Sequence, residues 1–133
     1  MRDTLVKGLV AGIALLALGA PLFAHHSFAA EYDASKPVNM TGAVTKVEWM
    51  NPHVWFYVDI KDEATGQVNN WAAEMGSPNA LTREGWNRNT LKIGTKVSFE
   101  GTRAKDGSYK LNARNVTVDG KKLGAASSQG VTP

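Results

Sequence analysis

No cysteine occurs in this chain of 133 residues. That excludes disulfides, thiolate nucleophiles and thiolate metal ligands, and leaves the core to hold by burial alone. It also excludes a lipid anchor on a cysteine after the leader. The single long apolar run, "GLVAGIALLALGA", lies near the start and is too short to span a bilayer comfortably. There is no stripe of one charge sign: the basic residues are scattered and the net charge is only +3. Such a surface exerts little pull on phosphates, so nucleic acid is not an expected partner. No internal repeat is visible. No spacing builds a nucleophile, an orienting base and an oxyanion hole, so binding rather than catalysis is expected, and the chain does not read as an enzyme.

What is present begins with a leader. Arg2 and Lys7 supply a positive start, the apolar run follows, and Pro21 breaks it just before Ala24. Residues 1–24 read as a signal peptide cut after Ala24, with a rival cut after Ala29. Taking 24 residues from 133 leaves 109, with a net charge of +2 once the leader's excess of one positive charge is gone. A soluble periplasmic protein is expected, with no membrane insertion after the signal is removed.

The mature chain divides into an N-terminal arm, residues 25–38, a β-rich domain, residues 39–123, and a disordered tail, residues 124–133, whose "GAASSQGVTP" has no pattern. In "HVWFYVDI", Val54, Phe56, Val58 and Ile60 alternate with His53, Trp55, Tyr57 and Asp59, which predicts a strand with one aliphatic face and one face of amphipathic rings. "MTGAVTKVEWM" precedes it and stops at Asn51-Pro52. "VNNWAAEM" follows, with Trp71, Ala73 and Met75 inward. Ser77 reads as a helix N-cap with Pro78 at the first helical position, and Leu81 and Trp86 are expected to plug the core. "LKIGTKVSFEGT" and "YKLNARNVTV" complete the set. Five strands with one short helix between the third and fourth predict an all-β, OB-fold-like Greek-key barrel.

The stretches "HHSFAAEYD", "VEWMNPHVWFYVDI", "SPNALTREGW" and "LNARNVTV" together resemble an uncharacterised family of small exported bacterial proteins known only as a domain of unknown function. The resemblance runs from about His25 to Leu123 and implies export and fold, but no activity. A looser similarity is to the small periplasmic OB-fold copper and silver chaperones, which hold Cu(I) with a histidine and two methionines under a tryptophan ring. Met50, His53, Met75, Trp49 and Trp55 are the matching ingredients, although their spacing departs from the chaperone pattern.

The histidines carry the candidate chemistry. A mature start at His25 offers an α-amine and an imidazole from one residue, and His26 adds a second imidazole. Nitrogen-rich sets of this kind suit Cu(II), which heads the divalent affinity order, and the set is similar in ligand chemistry to the histidine brace of copper-dependent polysaccharide oxidases. His53 is the expected third imidazole, and Met50 at the hairpin is the better sulfur candidate for Cu(I). Glu74, across from His53 or Trp55, is either a structural partner of His53 or the carboxylate that orients it as a ligand. The expected cofactor is a copper ion, with a periplasmic or membrane protein as its source or recipient. The competing reading is a non-metal interaction module using Trp49, Asn51, Trp55 and Tyr57. Phe28 and Tyr32 of the arm are expected either to leave that aromatic face open or to cover it.

Overall fold

The computed structural model describes residues 28–127. Along the chain come β1 (Tyr32–Glu48), β2 (Trp55–Lys61), β3 (Val68–Glu74), α1 (Pro78–Arg83), β4 (Lys96–Ala104), β5 (Lys110–Val118) and β6 (Lys121–Gly124). The protein is all-β, and a short helix stands between the third and fourth strands as expected. The strands form a six-stranded sheet in the order β3-β2-β1-β4-β5-β6, antiparallel throughout, with an additional parallel pairing of β3 with β5.

The expected count of five strands is corrected by β6. Asp119 and Gly120 both have positive φ, 51° and 74°, and join Val118 to Lys121 as a two-residue hairpin loop. This is the turn chemistry that Asp-Gly favours, because its twist matches that of the flanking strands. The segment expected to fray at residue 124 is ordered for its first residues. Gly124 closes β6, and Ala125 is fully buried, its amide donating to the Arg114 carbonyl at 2.8 Å and its carbonyl accepting from the Gly76 amide at 2.9 Å.

β1 also starts earlier than expected, since residues 32–38 were read as arm. Tyr32 pairs with Ala104, the ladder is interrupted, and it resumes at Pro37↔Thr102. The polar run 33–36 reads as a loop in sequence but is a bulged stretch of β1, and an interruption of this kind is where a strand tolerates proline. Further along, β1 leaves β4 and passes to β2 around Ala43, which pairs with both Lys96 and Asp59. Gly42 is required at that crossing, since a Cβ there would stand 2.4 Å from the Asp59 carbonyl oxygen.

A second irregularity, between Val44 and Lys46, shifts the alternation of β1 by one residue. Val47 and Trp49 therefore pack against the core that also holds Val44, while Lys46 and Glu48 turn outward. Val54, just before β2, and Phe56 and Val58 within it are fully buried, and Trp71, Ala73 and Met75 lie inside as their spacing predicts. Phe56 and Phe99 meet edge to face at 5.4 Å across this core. Ser77 caps α1 by accepting from the Ala80 amide, and Leu81 and Trp86 are buried beneath the helix, with the indole N–H donating to the Gly124 carbonyl.

Truncating Phe56 to alanine is expected to cost about 3–5 kcal/mol of unfolding free energy, as cavity creation under a large aromatic does. Ile93→Ala, at a side chain 75 % exposed, stays within about 0.5 kcal/mol. Urea unfolding of both variants beside the parent checks the pair.

Candidate functional site

The alternation of β2 turns His53, Trp55 and Tyr57 to the outer face of the sheet. Register then brings β3 alongside, with Trp55 opposite Glu74 and with Val54 exchanging backbone hydrogen bonds with Met75 and Gly76. Glu74 is on the outer face, as expected, yet only 8 % exposed. One of its neighbours is Asn112 of β5, also buried, through the parallel pairing.

Two side chains account for the carboxylate. His53 Nδ1 contacts Glu74 Oε1, and the Tyr32 hydroxyl donates to Glu74 Oε2. Burial first, then the hydrogen bond to Glu74 and that group's charge, push the Tyr32 phenol far above its ordinary value, so it serves as a donor throughout the physiological range. With the Nδ1 proton directed at Glu74, a neutral His53 ring carries its lone pair on Nε2. The ring is about half exposed, and the buried partner holds the Nδ1 edge. An imidazole fixed by a carboxylate on one nitrogen and free at the other is the arrangement found behind metal-ligating histidines, where the carboxylate sets the tautomer and the ring angle.

The remaining sequence-predicted residues separate. His25 and His26 lie outside the described residues. Met50 is 56 % exposed on the connection between β1 and β2, next to the exposed Asn51 and the cis Asn51–Pro52 peptide. Met75 is in the core, 2 % exposed, and Trp49 lines an apolar crevice with Met75, Trp86 and Leu91. Thus Met75 and Trp49 pack on the core side, away from the outer face that carries His53. Trp55 is half-buried.

Tyr57 is engaged: its hydroxyl donates to Glu48 Oε2 at 3.0 Å, and Lys46 Nζ lies 5.0 Å above its ring. Lys46 and then Tyr57 hold the Glu48 carboxyl below its usual range. Among the described residues, no group of three or more His, Asp or Glu side chains is placed to hold a metal, so His53 and Glu74 stand as a pair. Among the same residues, no helix is long and apolar enough to cross a membrane.

Tyr32 is the site residue that sequence reasoning did not assign to Glu74. Its expected role, covering the aromatic rings or leaving them open, did not involve the carboxylate that its hydroxyl meets. The two are 42 positions apart, and no local spacing connects them.

A family profile described as "Family of unknown function (DUF6152)" matches residues 13–112. The chain belongs to the DUF6152 family. The DUF6152 match takes in Tyr32, the Asn51-Pro52-His53 turn, Glu74 and the start of α1, and so contains the whole pair and its tyrosine. It begins within the apolar run near the start and ends in β5, short of the β6 hairpin. The family description carries no activity. Among curated proteins, none matches the chain.

The buried phenol has a pH consequence. Below about pH 10 the folded and unfolded chains both keep the Tyr32 proton, and above it the unfolded chain releases a proton that the folded one retains. Stability is therefore expected to fall as pH rises past about 10. Tyr32→Phe should make that alkaline decline shallower, as read from urea midpoints across the range.

Proposed function

We propose that this DUF6152 protein is an exported, periplasmic metal-binding protein for copper, serving metal handling or delivery from an OB-fold-like barrel. The observation that carries the reading is the contact of His53 Nδ1 with Glu74, which leaves Nε2 as a solvent-facing ligand atom on a ring that cannot turn freely. A ligand oriented in advance loses less conformational freedom on binding.

A single imidazole makes a weak site, and further ligands enter from the sequence. Cleavage after Ala24 would start the mature chain on His25 and His26. Six peptide units link His26 to Tyr32, a covalent reach of up to about 20 Å in extended form. Tyr32 is itself hydrogen-bonded to the carboxylate that holds His53. Brought together, these donors would supply an all-nitrogen set suited to Cu(II), and Met50 on the exposed hairpin is the remaining sulfur for Cu(I). The barrel part of the proposal rests on the pairing path β1-β2-β3-β5-β4-β1, which the parallel β3–β5 ladder supports, with β6 added beyond β5. The aromatic face, Trp55 and Tyr57, is the less favoured binding surface, because Glu48 and Lys46 already occupy Tyr57.

Intact mass of the exported protein gives the mature N-terminus, and Cu(II) titration of that material against a competing chelator gives affinity. The expected start is His25, with His53→Ala weakening binding by tenfold or more and Glu74→Gln by about 10–100-fold. A start at Ala30, or an affinity no tighter than that of a free His-His peptide and unmoved by His53→Ala, would rule the copper reading out. If Trp55→Ala instead abolishes capture of a partner or glycan from a fold that remains intact, the interaction reading replaces it.

A further inference from the structure

The start of β1 is fastened separately from the rest of the strand. Tyr32 pairs with Ala104, but no ladder partner is found on β4 between Tyr32 and Pro37. In that interval Ala34, Ser35 and Lys36 are exposed, and Asp33 Oδ1 accepts from both the amide and the hydroxyl of Ser35, a local turn rather than a strand contact. Residues 31 and 32 are held by contacts of their own. The Glu31 carbonyl accepts from the Lys105 amide at 2.8 Å, the Glu31 carboxylate meets Lys110 Nζ at 3.2 Å, and Lys110 lies 5.7 Å from the centre of the Tyr32 ring. Tyr32 ends this clip with its hydroxyl on Glu74. These contacts are distinct from the ladder that runs from Pro37 onward.

Because Glu74 is shared, the clip and the His53 ring are not independent. We infer that Tyr32 is a positioning residue that couples attachment of the β1 start to the orientation of His53, so that metal occupancy at Nε2 and closure of the clip strengthen one another. With Tyr32 in place, Oε2 is occupied and Oε1 is left for Nδ1. With the clip open, the carboxylate is uncovered to water and His53 loses the fixed partner that selects its tautomer. Linkage requires reciprocity: the factor by which the clip tightens metal binding is the factor by which metal tightens the clip. The coupling to metal rests on the copper reading above, whereas the coupling to the ring does not.

The test therefore separates the two. Nitrogen NMR of histidine-labelled, metal-free protein, with the His53 signal assigned by His53→Gln, should show the Nδ1-protonated tautomer, and Tyr32→Phe should move it toward the Nε2-protonated one. Cu(II) affinity under a competing chelator should fall about tenfold in Tyr32→Phe, the low end of the range for a group behind a ligand. In the unsubstituted protein, Cu(II) should slow hydrogen exchange of the peptide containing the Lys105 amide, a readout that stands even if Tyr32→Phe unfolds. A tautomer unchanged in a folded Tyr32→Phe protein, or bound Cu(II) that leaves the Lys105 region exchanging as before, overturns the coupling. Absent Cu(II) affinity in the unsubstituted protein overturns the copper reading alone, and the tautomer then decides the coupling.

Discussion

A carboxylate buried on the outer face of a β-sheet needs partners on both of its oxygens. Removing such a group from water costs several kcal/mol unless hydrogen bonds replace its hydration. Glu74 meets that demand with one donor from the connection before β2, His53, and one from the first residue of β1, Tyr32. Three distant parts of the chain are thereby tied at one point. The same demand makes the arrangement specific, since a conformer that loses either donor leaves the charge partly unsatisfied.

Packing on the inner face of the sheet makes this point reproducible. Val54 and Phe56 are anchored in the core on one side of β2, and Met75 and Ala73 on the matching side of β3. With those inward residues held, the pleat leaves His53 and Glu74 no face but the outer one. The parallel pairing of Glu74 with Asn112 closes the remaining flank, and the C-terminal residues Ala125 and Ser127 lie against this side, the Ser127 hydroxyl donating to Asn112 Oδ1. Only the His53 ring remains open to solvent, which is the property that gives the cluster its chemical interest.

Some of this was legible from residues alone. The alternation of "HVWFYVDI" separates core from surface because side chains of a strand point to opposite faces in turn. The Ser77-Pro78 start of α1 was legible for the same local reason, a hydroxyl acceptor followed by a residue that needs no amide partner. Asp119-Gly120 was equally readable as a hairpin, and only the shortness of the strand after it concealed β6. The direction of Trp49 was not readable, because the irregularity between Val44 and Lys46 inserts one residue and reverses the faces of everything after it. Strand patterns carry no mark of such an insertion until a partner strand defines the register.

The meeting of Tyr32, Glu74 and His53 lies at the far end of that scale. The sequence by itself determined which residues could serve: an outward histidine just before β2, an acid on the outward positions of β3, a tyrosine after the apolar N-terminal run, and the absence of any thiol that would compete with them. Only the tertiary structure decided that the tyrosine reaches the acid and that the acid reaches the histidine. The contacts cross three strands, and their geometry depends on registers and a strand interruption set by packing of the whole sheet, which no window of neighbouring residues contains.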